Sequence, residues 1–260
     1  MKRLSLPVVA ALVLTACATS PLGRQQFLFL PAAEMDQMGA TAYNEMKEQQ
    51  PTVTGTAESR YVECVADAIV AVVDSDEQWE VTVFKDDSAN AFALPGGKIG
   101  VHTGLLKVAK NQDQLAAVIG HEVGHVLAQH SNERMSIQYA TQTGTQLVAA
   151  LAGGDSAEKQ TLMGLLGVGA QYGVQLPFSR KHEAEADVIG LDLMAEAGFD
   201  PRASVDLWRN MAANSGGSPP EFLSTHPSNQ TRIEGLQARI PEAMPLYQQA
   251  QSAGRTPNCG

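Results

Sequence analysis

Apolar positions along the chain fall into two rhythms. In "GTAESRYVECVADAIVAVVD" they recur at helical spacing, which predicts an amphipathic helix, and in "WEVTVF" they alternate, which predicts a strand with Val81 and Val83 on one face. "NAFALPGGKIGVHTGLL" places two short apolar segments on either side of Pro95, Gly96 and Gly97. That is a hairpin-like turn, and its proline suits an edge strand better than a central one. Asn111 with Gln114 forms an amino-terminal cap for a helix carrying "AAVIGHEVGHVLAQH". A Gly/Ala-rich helical region is expected to about residue 176, then a helix near 180–197 closed by Gly198 and another opened by Asp200 and Pro201. The last helix is expected to start near Ser228 and stop before Pro241. Helices outnumber strands, so the predicted class is α+β: mainly helical with a small β-sheet.

The amino terminus has its own pattern. Lys2 and Arg3 precede the apolar run "LSLPVVAALVL", too short to span a bilayer comfortably, and then "TAC". This reads as a secretion signal, and "LTAC" resembles the bacterial lipobox, in which the cysteine is lipidated and everything before it removed. The expected organisation is a signal peptide over 1–16, a lipid-anchored segment over 17–50 beginning with a linker-like stretch, and one domain over 51–260. Ala18 stands where an aspartate would signal inner-membrane retention, so the expected location is the outer membrane, facing the periplasm. Lipidation of Cys17 would leave Cys64 and Cys259, which permit one disulfide pinning the carboxyl terminus to an early helix.

Composition adds two exclusions. At 260 residues with 44% hydrophobic and 18% charged residues, the chain can bury a sizeable core and does not have the composition of a disordered protein. Eighteen basic against 28 acidic residues give a net charge of −10, and no basic run could track phosphates, so nucleic acid is excluded as a partner.

The candidate chemistry lies in "HEVGH". On a helix at about 100° per residue, His121 and His125 lie one turn apart and about 40° apart in azimuth, so both imidazoles can reach one ion. Glu122 sits beside them. Leu115, Val118, Ile119 and Val126 form the adjoining apolar arc, while Gly120 and Gly124 allow another backbone to approach closely. In the HExxH pattern the histidines bind zinc and the glutamate acts as general base. A third ligand is required. The HExxHxxGxxH form fails, with Ala128 and Ser131 at the needed positions, and His130 is read as an ordinary helix-end histidine on the far side. "SRKHEAEADVIG" offers Glu183 and Asp187 at i, i+4: Glu183 as third ligand, Asp187 as the acceptor that orients a ligand histidine, and Glu185 as solvated.

These blocks, with "STHPSNQTRI" after them, resemble the zinc metallopeptidases of the CAAX-prenyl-protease and HtpX family, most closely its soluble bacterial Oma-type branch. The resemblance spans residues 90–235. It implies a zincin-like domain, one zinc per chain held by His121, His125 and Glu183, and Glu122 as base. It also implies that Asn90, Ala91, Phe92, Ala93, Leu94 and Pro95 form an edge strand bordering the cleft, along which an extended substrate adds as a further strand. His226 and Arg232 match the family's "HP" and downstream arginine, catalytic candidates placed near the metal or substrate and at the oxyanion or site wall.

The chain also departs from the family. It has no apolar run of about 20 residues, which argues against the multispanning architecture, and no helical repeat domain is expected after residue 260. The apolar, Gly-rich stretch over 156–176 is read as a buried helical hairpin rather than a flap or membrane contact. The function expected is a periplasm-facing, lipid-anchored zinc endopeptidase acting on misfolded or misassembled envelope proteins. The alternative is a latent zincin-fold lipoprotein that binds outer-membrane proteins as a chaperone.

Overall fold

The computed structural model of the chain describes residues 17–151, 179–213, 221–226 and 230–260. Its first element is a hairpin: β1 (Cys17–Thr19) pairs antiparallel with β2 (Gln25–Phe27). The stretch after Cys17 is therefore not linker-like. Its polar side chains are fastened to the helical body, as when Gln26 Nε2 donates to the Ala128 carbonyl at 2.6 Å.

Helix α1 (Ala32–Gln49), strand β3 (Thr52–Val53) and helix α2 (Ala57–Val70) follow. Thr56 and Ser59 close α2's amino terminus reciprocally, side chain to backbone in both directions. Strands β4 (Glu80–Phe84), β5 (Ala91–Leu94) and β6 (Lys98–His102) join β3 in one mixed sheet of order β3-β4-β6-β5. The hairpin around Pro95 is present, and β5 is an edge strand by pairing. A 3-10 turn over Thr103–Lys107 leads to α3 (Gln112–Leu127), capped as expected by Asn111, whose side chain accepts from the Gln114 N–H at 2.9 Å.

The sheet alternates between two apolar layers. Val83, Ile99 and Val101 face α2 and α3, meeting Val62, Val65, Leu115 and Ile119, and the half-buried Val81 joins that side. Phe84, Phe92 and Leu94 face α1, where Tyr43 is fully buried and donates its hydroxyl to the Ile99 carbonyl at 2.9 Å. Strand alternation thus makes the sheet the filling between helices.

The remaining elements are α4 (His130–Leu151), α5 (Arg180–Glu196), α6 (Ala203–Ala213), the short α7 (Glu221–Thr225) and α8 (Gln230–Ser252). Gly198, at φ 95°, ends α5 as expected. Helix α8 departs from expectation by running through Pro241 and Pro245. Both prolines are exposed, so carbonyls that lose a helical partner there can turn to water, while Leu236, Ala243 and Ala250 hold the other face in the core. Cys64 of α2 and Cys259 are disulfide-bonded across a sequence separation of 195 residues, and Gln112 further ties the tail by accepting from the Cys259 N–H.

Among the described residues no helix is long and apolar enough to cross a membrane. The expected signal peptide over 1–16 and the apolar stretch over 156–176 lie outside the described residues.

Candidate metal centre

Two helices bring the ligand candidates together, and their glycines set how closely. A β-carbon on Gly120 would lie 2.8 Å from the Gly190 carbonyl oxygen, and one on Gly190 would lie 2.6 Å from His121 N. Helices α3 and α5 therefore touch backbone to backbone, which lets a short carboxylate on α5 reach histidines on α3.

At that contact His121 Nε2 and His125 Nε2 are 3.1 Å apart, and Glu183 lies 3.4 Å from the first and 3.6 Å from the second. His226, just after α7, adds Nδ1 at 3.3 Å from His121 Nε2 and 3.2 Å from Glu183 Oε1. One donor atom from each of the four falls within 4.8 Å of the other three, and all four residues are buried. A tetrahedral ion with ligands at about 2.1 Å separates those ligands by about 3.4 Å, so the spacing fits a zinc-sized metal.

The donor chemistry fits as well: Glu122, Glu183 and Asp187 are three buried carboxylates beside the two histidines, and a dication held there would offset their charge alongside Arg232. Glu122 Oε1 and Glu183 Oε2 are buried acceptors without a hydrogen-bond donor, although Arg232 Nη1 is an ion-pair neighbour of the latter at 2.7 Å.

Each expected site residue can now be placed. Asp187 Oδ1 lies 3.0 Å from His121 Nδ1, the outer-ring contact that turns Nε2 toward the centre. Glu122 Oε2 accepts from the Ala93 N–H of β5 at 3.1 Å, and its other oxygen is 3.4 Å from His226 Nε2. Arg232 stands behind the ligands, with Nε 2.6 Å from Asp187 Oδ2 and its guanidinium stacked 3.8 Å over the Trp208 ring. A cavity lined by Arg180, Glu183, Asp187, Thr231, Arg232 and Arg239 opens on that side.

Burial is the largest influence on every carboxylate here and raises them all. It prevails for Glu122, which is held above the usual carboxylate range, whereas hydrogen bonds from His121 and His226 pull Glu183 below it. Burial lowers both ligand histidines. It keeps His125 well below the ordinary imidazole value, while the Asp187 and Glu183 contacts outweigh it, and the Arg232 charge, to lift His121 to about 9.

Two readings are corrected. Glu185 is not solvated but buried, accepting from Ser20, Arg24 and His130. His130 does not sit on the far side of the HEVGH helix. That helix ends at Leu127, Gln129 takes a left-handed turn at φ 49°, and His130 begins α4, folding back until its Nδ1 is 2.9 Å from His125 Nδ1. No local signal marked either residue, because both depend on the turn and on the hairpin.

An HExxH helix, a third acidic ligand on a second helix and a small mixed sheet beside them define a zincin-like metallopeptidase domain. Residues 56–240 match the model of peptidase family M48, and the chain belongs to that family. It is 42% identical to the mitochondrial metalloendopeptidase OMA1 of Schizosaccharomyces pombe over 186 residues, which cover 70% of this chain and 53% of that one. It is 32% identical to the human mitochondrial metalloendopeptidase OMA1 over 86% of this chain and 44% of the relative. A bacterial relative, the beta-barrel assembly-enhancing protease of Yersinia pestis, is 28% identical over 80% of this chain and 44% of its own length. The chain thus spans about half the length of these curated relatives.

Proposed function

We propose that the chain is a zinc-dependent endopeptidase of the soluble bacterial Oma-type branch, exported, lipidated at Cys17 and held at the outer membrane facing the periplasm. Its substrates are unfolded or misassembled envelope proteins. The observation that carries the catalytic reading is the hydrogen bond from Ala93 to Glu122, beside the closely spaced His121, His125 and Glu183. The relatives' names, metalloendopeptidase and beta-barrel assembly-enhancing protease, support the reaction, and the second links such a protease to beta-barrel assembly.

The backbone of β5 supplies the substrate geometry. The His102 N–H donates to the Asn90 carbonyl, so bonded pairs with β6 alternate from that point and the polar backbone groups of Ala91 and Ala93 point to the outer edge. An extended peptide adding there runs past the carboxylate of Glu122. His121, His125 and Glu183 would hold the zinc, which would supply Lewis acidity toward the carbonyl and the attacking water. Glu122 takes a proton from the attacking water at Oε1 and returns it to the leaving amine. Arg232 and Asp187 hold the ligands in register, which keeps the site rigid while charge develops on the carbonyl oxygen.

A second reading, a latent enzyme or binding protein, draws on two observations. His226 occupies the fourth corner of the donor set, where a catalytic zinc keeps an open position, and the β5 residues are 1–9% exposed although no strand pairs with their outer edge among the described residues. Cleavage of an unfolded protein such as casein tests both readings. Chelator-sensitive cleavage, abolished in Glu122→Gln, supports the peptidase. No cleavage, with Glu122→Gln fully functional in the cell, supports the binding protein.

A further inference from the structure

The amino-terminal hairpin reaches the metal centre through a chain of side chains. Ser20 Oγ donates to Glu185 Oε1, and Arg24 Nε donates to Glu185 Oε2 at 2.6 Å. Glu185 Oε2 is 3.1 Å from His130 Nε2, and His130 Nδ1 is 2.9 Å from His125 Nδ1. Arg24 is braced by bonds from its two terminal nitrogens to Glu133 at 2.8 and 2.7 Å, and Glu133 also meets His182 Nε2 at 3.0 Å.

The hydrogens in this chain have one consistent arrangement for neutral rings. An ionised carboxylate only accepts, so His130 Nε2 carries the hydrogen and His130 Nδ1 is the acceptor. His125 must then carry its hydrogen on Nδ1. That leaves the lone pair of His125 Nε2 aimed at the space shared with His121 Nε2 and Glu183, as a metal ligand requires. His130 has no exposed surface and Glu185 is 5% exposed, so water does not compete for these bonds.

We propose that His130, Glu185 and Arg24 are positioning residues for the ligand His125, which makes the segment immediately after Cys17 a working part of the metal centre. The proposal rests on the reading that His121, His125 and Glu183 bind a metal. It differs from the Asp187 contact in source: Asp187 belongs to the ligand-bearing helix α5, whereas Arg24 comes from a hairpin more than 90 residues earlier in the chain than His121.

The test uses the full chain in detergent, stripped of metal, then titrated with zinc against a chromogenic chelator and separately with Co²⁺ to record its visible spectrum. His130→Phe is expected to weaken zinc binding by about 10- to 100-fold and to alter the Co²⁺ bands. His130→Gln, whose amide can accept from His125 and donate to Glu185, restores most of both. Arg24→Gln produces a smaller loss in the same direction, and Lys107→Ala, at the exposed end of the 3-10 turn, produces none. Folding is followed by thermal melting, and if His130→Phe does not fold, Arg24→Gln decides. Equal zinc affinity and an unchanged Co²⁺ spectrum in a folded His130→Phe or Arg24→Gln overturns the proposal. An unmutated chain that takes up no zinc overturns the metal-site reading itself.

Discussion

The backbone N–H of Ala93 donates to Glu122 Oε2 at 3.1 Å, so the carboxylate placed to move protons is moored to the strand placed to hold substrate. Glu122→Gln retains the acceptor and the shape but not the basicity. It is expected to lower cleavage of an unfolded protein by about 10²- to 10⁴-fold with zinc content and melting temperature unchanged. A loss of zinc in this variant would instead make Glu122 part of the ligand set.

His226 stands at the fourth corner of the donor cluster, 3.3 Å from His121 and 3.2 Å from Glu183. On the latent reading His226 fills the fourth position, and removing it opens a place for water beside His121, His125 and Glu183. His226→Ala is therefore expected to bind zinc less tightly yet cleave casein faster than the parent, measured at saturating zinc. Slower cleavage would assign His226 a direct catalytic part.

Gly190 meets His121 across the α3–α5 contact. Gly190→Ala pushes α5 outward and carries Glu183 with it. A stability loss of about 1–3 kcal/mol by denaturant unfolding is expected, together with weakened zinc binding. Unchanged zinc affinity would mean that the helix contact does not set the ligand spacing.

The Cys64–Cys259 bond closes a loop with a sequence separation of 195 residues, three quarters of the 260-residue chain. For a loop of that size the chain-entropy model gives about 5 kcal/mol as an upper value. The Cys64→Ser, Cys259→Ser double variant should lose stability up to that amount by denaturant unfolding, and reductant should destabilise the parent to match.

Glu133 predicts an acid response. Burial raises its pKa, but the Arg24 hydrogen bond and charge, with help from Gln26 and His182, pull it below the usual carboxylate value when folded. A group depressed in the folded state stabilises fully above its unfolded value near 4.5 and loses that contribution as pH falls through the folded value. The melting temperature should therefore fall below about pH 4.5, and fall less steeply in Glu133→Gln. Identical slopes would show that the Arg24–Glu133 pair does not contribute.

The legible parts of this site follow local rules. Helical period put His121 beside His125, the Asn111 cap fixed where α3 starts, and the proline turn marked β5 as an edge. Asp187 followed from i, i+4 spacing with Glu183. Glu185 and His130 escaped the same logic because their environment is made by other elements. Two residues from Glu183, Glu185 faces what looks like solvent until the β1–β2 hairpin covers it with Ser20 and Arg24. His130 is far from the metal on a continuous helix, and only the left-handed Gln129 turns it back. The run of α8 through Pro241 has the same origin, since Ala243 and Ala250 beyond it are held by the core.

The most direct measurement is the zinc content of the purified full chain by elemental analysis, beside Glu183→Ala. The account predicts about one zinc per chain in the parent and a large loss in the variant. A parent without zinc, or a variant that keeps it, would contradict the assignment of His121, His125 and Glu183 as the metal centre.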